Sequence, residues 1–202
     1  MNLSGLFETQ AALDARIYES HPELKGQDNL GWKVLALQVE LGECANEWRR
    51  FKKWSNDQEP RVRKACTFCN GSGVINFVDH KVPCRRCKGS GTVGNPLLEE
   101  YVDCLHFILS IGLEFDDYPL DMHYEVLGFR KEYWNNKYTI EQFQVVFKNI
   151  ADFSSAHDEL EYIELVSQFL GLGEMLGFDW EQVEQAYYAK NEVNHQRQES
   201  GY

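Results

Sequence analysis

The sequence predicts an all-α fold. Apolar residues recur at spacings of three and four over long stretches, strand-like alternation is scarce, and only five prolines interrupt 202 residues. A chain of that length can bury one good core and carry a small appendage, and an aromatic content of 13% supports a packed domain. No apolar run approaches the roughly 18 residues needed to span a bilayer. The start M-N-L-S-G-L-F-E also lacks the basic and apolar regions of a signal peptide. The expectation is therefore a cytoplasmic protein with reduced thiols and no membrane contact.

Each segment has its own reason to be helical. In F-E-T-Q-A-A-L-D-A-R-I, Gln10 and Asp14 stand one turn apart. Val34, Leu37, Leu41, Cys44, Trp48 and Phe51 then define one amphipathic helix over about residues 31 to 54. Glu40, Glu43 and Glu47 fall together on one flank of it, where like charges repel by about 0.2–0.5 kcal/mol per pair. A second helix over about 96 to 113 has Leu98, Val102, Leu105 and Leu109 on one side and Glu100, Asp103 and Phe107 opposite. Being apolar over most of its circumference, it is central, and its carboxylates need a partner inside the fold.

A lone acidic flank is a solvated helix face, but two such clusters on apolar helices suit a hard divalent cation. Magnesium takes oxygen ligands at about 2.0–2.1 Å and keeps waters and phosphate oxygens in its shell. A pair of ions about 3.5–4 Å apart takes about four carboxylates, here Glu40, Glu43, Glu100 and Asp103.

The acidic stretch Glu114 to Asp121 reads as a solvated turn. Helices over about 121 to 135, 139 to 153 and 158 to 176 carry Phe129, Tyr133, Phe143, Val146, Phe147, Ile163, Val166 and Phe169 as scaffold or dimer surface. Asp179 caps a last helix whose stripe runs Trp180, Val183, Tyr187 and then turns to Lys190, Asn191 and Asn194, a cationic and amide end that suits an anion. Cys44 and Cys104 sit in the two carboxylate helices as small buried residues.

Between the carboxylate helices lies a segment of different character. C66-T-F-C69-N-G-S-G is echoed by C84-R-R-C87-K-G-S-G, two C-x-x-C turns backed by glycines. Four thiolates make a closed tetrahedral zinc site, so one structural Zn²⁺ held by Cys66, Cys69, Cys84 and Cys87 is expected, with His80 as a spare ligand. Residues 59 to 93 hold seven Lys/Arg against Glu59 and Asp79, a surplus of five positive charges, so the remainder carries −17 and the whole chain −12. An acidic body disfavours docking on nucleic acid as a whole, whereas the basic segment permits a nucleic-acid or protein contact.

Three segments together resemble a known family. E40-L-G-E43-C-A-N-E47 followed by E99-E100-Y-V-D103-C-L-H106-F107 resembles the all-α nucleoside triphosphate pyrophosphatases, and among them the dimeric-type dUTPases. The tail Y187-Y-A-K190-N191-E-V-N194-H-Q-R197 is similar to the K-N-x-x-N segment with which that family holds nucleotide phosphates. The resemblance covers residues 1 to about 58 and 94 to 202, making 59 to 93 an insertion whose repeats are similar to those of the DnaJ-type zinc domain, two where that domain uses four. No H-P-D motif accompanies them, so no chaperone activity is implied.

The resemblance implies a homodimeric, Mg²⁺-dependent hydrolase that converts dUTP to dUMP and pyrophosphate, protecting the nucleotide pool. Glu40, Glu43, Glu100 and Asp103 would hold two or more Mg²⁺ ions, Glu47 or Glu99 would complete the shell or orient water, and one carboxylate would serve as general base. Lys190, Asn191, Asn194 and Arg197 would clamp phosphates. Gln10 and Asp14 would meet the base, although the family pattern Q-x-x-L-N has Asn where this chain has Asp14. A carboxylate can take uracil N3–H or the cytosine amine, which leaves dCTP open as an alternative substrate. Trp32 can stack on a base and Lys52 can reach a phosphate, or both can be packing and surface. The implied use of dUDP as well as dUTP fits attack at the β-phosphorus. A reading of another class, a non-catalytic zinc adaptor with acidic helices as a charged surface, is separable by Mg²⁺ binding near Glu40.

Overall fold

The computed structural model describes residues 3–115 and 138–201. It is mostly helical, as predicted. The described residues form six α-helices: α1 (Leu3–Ser20), α2 (Leu30–Trp48), α3 (Pro96–Gly112), α4 (Thr139–Ala156), α5 (Glu159–Met175) and α6 (Trp180–Glu199). Four short strands separate α2 from α3: β1 (Lys64–Ala65), β2 (Val74–Asn76), β3 (Lys81–Pro83) and β4 (Thr92–Gly94). The predicted helix over about 121 to 135, with Phe129 and Tyr133, and residues 116 to 121 of the acidic turn lie outside the described residues.

Caps set the helix starts. The Asn95 side chain accepts from Leu98 N–H with Pro96 at the first helical position, Asp158 accepts from Glu161 N–H, and Asp179 forms a capping box with Gln182. The end of α2 differs from the expectation of a helix to about 54. Arg49 adopts a left-handed conformation, φ 62°, and its guanidinium is drawn to the Asp57 carbonyl at 3.0–3.1 Å and the Asp57 carboxylate at 2.9 Å, so the chain turns and α2 stops at Trp48.

The core sits where α3 meets its neighbours. α2 packs along α3, α4 along α5, and α6 lies against both α1 and α3. α3 buries Tyr101, Val102, Cys104, Leu105, Ile108, Leu109 and Ile111, so it is the central helix that its composition predicts. Two tyrosines tie it to α5, with the Tyr101 hydroxyl donating to Phe169 O at 3.2 Å and the Tyr162 hydroxyl to Ile108 O at 2.8 Å.

The strands form two antiparallel ribbons, β1 with β4 and β2 with β3. The β1–β4 ladder pairs Lys64 with Gly94 and Ala65 with Thr92, closing the neck of the cysteine segment. Arg61 fastens that neck to both carboxylate helices: its N–H donates to Glu47 O at 2.9 Å, and its C=O accepts from Leu97 N–H at 3.1 Å. Beyond the neck the buried apolar side chains are the four cysteines with Ile75 packed on them, a cluster separate from the helical core.

Candidate active site

Side-by-side packing of α2 and α3 brings the carboxylates together. One oxygen each from Glu40, Glu43 and Glu100 lies within 4.8 Å of the others. Burial, then Asp103 and Glu43, push the Glu40 carboxyl up to about 7. Burial with Asp103, Glu43 and Glu40 does the same to Glu100. Burial raises Asp103 too, although Lys190 Nζ, hydrogen-bonded to its Oδ2 at 2.5 Å, and Arg197 pull the other way. Glu40 and Glu100, crowded so that they titrate near neutrality, are short of countercharge, and an all-oxygen donor set of this kind fits Mg²⁺.

Three other acidic residues behave differently from this group. Glu47, one turn beyond Glu43, accepts from Arg61 Nη1 at 3.3 Å through Oε1, while its Oε2 is buried with no partner among the described residues. Glu99 is exposed and its carboxylate lies against Gly94 at the neck. Glu114 is also engaged elsewhere, accepting from Lys33 Nζ and from the Tyr18 hydroxyl.

A cavity of about 300 Å³ opens beside the cluster. Glu40 and Asp103 line it from α2 and α3, Lys190, Asn194 and Arg197 from α6. The same cavity is lined by Gln10, Asp14, Trp32 and His106, so residues implied for phosphates and base share one space with two of the four implied metal ligands, Glu40 and Asp103, while Glu43 and Glu100 do not line it. Trp32 is 40% exposed with its indole N–H on Asn29 Oδ1 at 3.0 Å. Lys52 is not among the lining residues, and its Nζ sits 5.7 Å from the Phe51 ring centre. Asn191 is buried and does not line the cavity.

Hydrogen bonds fix the polarity of the buried end. Asp14 can only accept, so the Gln10 Nε2 donating to Asp14 Oδ1 at 2.7 Å must be the amide nitrogen. Gln10 Oε1 then faces the Tyr187 hydroxyl and His106 Nδ1, both at 2.8 Å, and both must donate to it. His106 is thereby the Nδ1–H tautomer, and its Nε2 is a bare acceptor, buried and without a partner among the described residues. Burial, then Lys190, hold the imidazole down to about 3, so it is neutral at physiological pH. Asp14 Oδ2 accepts from the Ser110 hydroxyl at 2.6 Å and lies 3.5 Å from Lys33 Nζ. Gln10 and Asp14 therefore do not form an exposed helix face. Lys33, His106 and Ser110 complete the site and carry no role in the sequence reading.

The knuckle sulfurs have metal spacing. Cys66 Sγ lies 3.9 Å from Cys84 Sγ and Cys69 Sγ 3.7 Å from Cys87 Sγ, with all four within 4.8 Å. A tetrahedron with metal–sulfur bonds of about 2.3 Å has edges of about 3.8 Å. Gly73 and Gly91 N–H donate to Cys69 and Cys87 sulfur at 3.3 Å, which favours thiolates. His80 stacks on Phe77 instead of joining the set. Cys44 and Cys104 are buried among apolar groups, which pushes both thiols up.

Crowded carboxylates facing cations and amides across a cavity of nucleotide scale are what a hydrolase of nucleoside polyphosphates needs. A family model described as dUTPase matches residues 2–66 and 90–202, most of the chain. The chain belongs to that family and is a dUTP diphosphatase, a nucleoside triphosphate pyrophosphohydrolase. The match leaves out residues 67–89, which hold three of the four knuckle cysteines. No curated protein matches the chain.

Proposed function

We propose that the enzyme hydrolyses dUTP to dUMP and pyrophosphate with Mg²⁺ held between α2 and α3, removing dUTP from the cytoplasmic nucleotide pool. The observation that carries this reading is the shared cavity, which is lined by Asp103 and Glu40, by Lys190 and Arg197 of α6, and by the buried Gln10, Asp14 and His106. No helix among the described residues is long and apolar enough to cross a membrane.

The residues divide the work by charge. Glu40, Glu43, Glu100 and Asp103 would hold Mg²⁺, which when bound polarises the phosphates and acidifies the attacking water. Glu47, with one oxygen anchored by Arg61 and the other without a partner among the described residues, is suited to orient that water and take its proton. Lys190, bonded to Asp103 Oδ2 at the cavity wall with Asn194 and Arg197, would supply the positive charge that meets the phosphates. Gln10 and Asp14 present an adjacent donor and acceptor 2.7 Å apart, matching O4 and N3–H of uracil. His106 Nε2 offers an acceptor to a nucleoside N–H or O–H.

The same donor–acceptor pair also matches N3 and the amine of cytosine, so dCTP is the second reading. Pyrophosphate release from each deoxynucleoside triphosphate, with and without Mg²⁺, decides between them: dUTP turned over no faster than dCTP would remove the uracil assignment. Hydrolysis in ¹⁸O-water should label pyrophosphate and leave dUMP unlabelled, as attack at the β-phosphorus requires. We take residues 1–58 and 94–202 as the catalytic unit and 59–93 as an inserted module with one structural Zn²⁺, supported by the four-sulfur cluster and the gap in the family match. The catalytic unit acts as a homodimer, supported by an exposed apolar stripe, Leu35 and Val39, on the outer side of α2.

A further inference from the structure

The cysteines and glycines of the knuckle account for its fold but not for what it shows to solvent. A Cβ on Gly73 would lie 2.3 Å from Gly89 O and one on Gly91 2.4 Å from Gly71 O, so the two C-x-x-C turns cross back to back and their tips lie side by side. Across the tips, the Arg85 guanidinium stands 5.0 Å from the centre of the Phe68 ring, and Arg86 Nη1 donates to Thr67 Oγ1 at 3.4 Å. Phe68 is 47% and Phe77 56% exposed, and Phe77 stacks on His80 with ring centres 5.1 Å apart.

Arg63, Lys64, Lys81, Arg85, Arg86 and Lys88 are all exposed, and none has an ion pair among the described residues. Arg49 and Arg50, just before them in the chain, each have one, and Arg61 has two. The module's surplus of five positive charges falls only to three once four thiolates share one divalent ion.

We infer that the knuckle is a binding site for single-stranded nucleic acid, separate from the nucleotide cavity. Unpaired bases stack on an exposed ring and beneath a guanidinium, while the surrounding cations meet the backbone phosphates. An acidic protein surface would satisfy the cations but leave the exposed faces of Phe68 and Phe77 in water, and a duplex keeps its bases inside. The acidic remainder of the chain repels the strand, so contact is confined to the module.

The test is fluorescence anisotropy of labelled oligo-dT and oligo-U of about 15 nucleotides titrated with the zinc-loaded full chain, a length that covers one binding site. The expected dissociation constant is about 10⁻⁵ M at low salt, weakening with a log–log salt slope of about −2 to −3 for three or four phosphate contacts. Phe68→Ala combined with Arg85→Ala and Arg86→Ala should weaken binding about tenfold or more, with zinc content and dUTP hydrolysis unchanged. Absence of binding at low salt, or equal binding by the triple variant, overturns the inference. So does competition by polyglutamate as effective as by oligonucleotide, which would assign the surface to an acidic protein. A duplex bound as tightly as the single strand, with Phe68→Ala silent, would leave charge alone and overturn the stacking site.

Discussion

Lys33 is a fully buried lysine, 1% exposed, one turn before Leu37 and in phase with the apolar stripe of α2. Burial alone would lower its pKa, and Asp14, Glu114 and Tyr18 more than offset that and raise it. Lys33→Met should destabilise the fold by about 3–5 kcal/mol, because it leaves the buried Asp14 without its cation; a loss below about 1 kcal/mol in urea unfolding would show the pair to be dispensable. The residue is legible in the sequence as a charge at a core position, and reading the stripe from its hydrophobic members alone passes over it. His106 and Ser110 are legible in the same way, since Glu100, Asp103, His106 and Ser110 recur at three and four along an otherwise apolar helix. What no pattern within one helix reveals is that Gln10, from α1, meets His106. The carboxylates add a pH dependence. Glu40 and Glu100, raised from an ordinary 4.5 to about 7, make the metal-free folded state bind more protons than the unfolded chain. That stabilisation is present in full below about 4.5 and is lost as pH rises through about 7. The gain in melting temperature from Mg²⁺ should therefore be larger at pH 8 than at pH 5, and equal gains would remove the cation from this cluster. Glu43→Gln and Asp103→Asn, which delete one charge and almost no volume, should each lower turnover by about 10²-fold or more with helicity intact. Activity near wild type in either would displace the site.

At the scale of elements, punctuation was readable where a cap or a spacing names itself. Asn95-Pro96 and Asp179 begin α3 and α6 where their chemistry predicts, and the duplicated C-x-x-C-x-G-x-G announces the knuckle. The early end of α2 was not readable, because it depends on a tertiary pull of Asp57 on Arg49 against a repeat that continues to Phe51. Phe51 still packs on the core from the turn, so the periodicity reported burial rather than helix. The knuckle makes a contrasting prediction. With four cysteines and Ile75 as its only buried cluster, it has no core without metal, whereas the helices on either side share a large one. Chelation, or Cys66→Ser with Cys84→Ser, should release one zinc per chain and open protease cleavage at Arg85 or Arg86, with far-ultraviolet helicity retained. Loss of the helical signal together with zinc would show the neck at Arg61, which bridges α2 and α3, to be part of the core.

The whole molecule separates its charges and its greasy surfaces by direction. On α2, at about 100° per residue, the core stripe, the acidic flank and an outer apolar face point roughly a third of a turn apart. That outer face carries Leu35 at 61% and Val39 at 51% exposure with Gly42 following in phase, and it runs into a groove lined by Trp48, Phe51, Ile140 and Phe147. Large contiguous apolar surface rimmed by polar residues marks an interface, and a face on one helix that repeats with its own symmetry mate closes a dimer. Charge favours the same arrangement, since Glu40 and Glu43 stand on a different flank and need not be brought near their copies. Wild-type protein should therefore run in light scattering at twice its 23.5 kDa chain mass. Leu35→Glu with Val39→Glu should run at 23.5 kDa, because paired carboxylates on a self-facing stripe repel across the axis. A double variant that stays at twice the chain mass would move the interface to another face, and a wild type that runs as a single chain would leave the stripe without the second copy proposed for it.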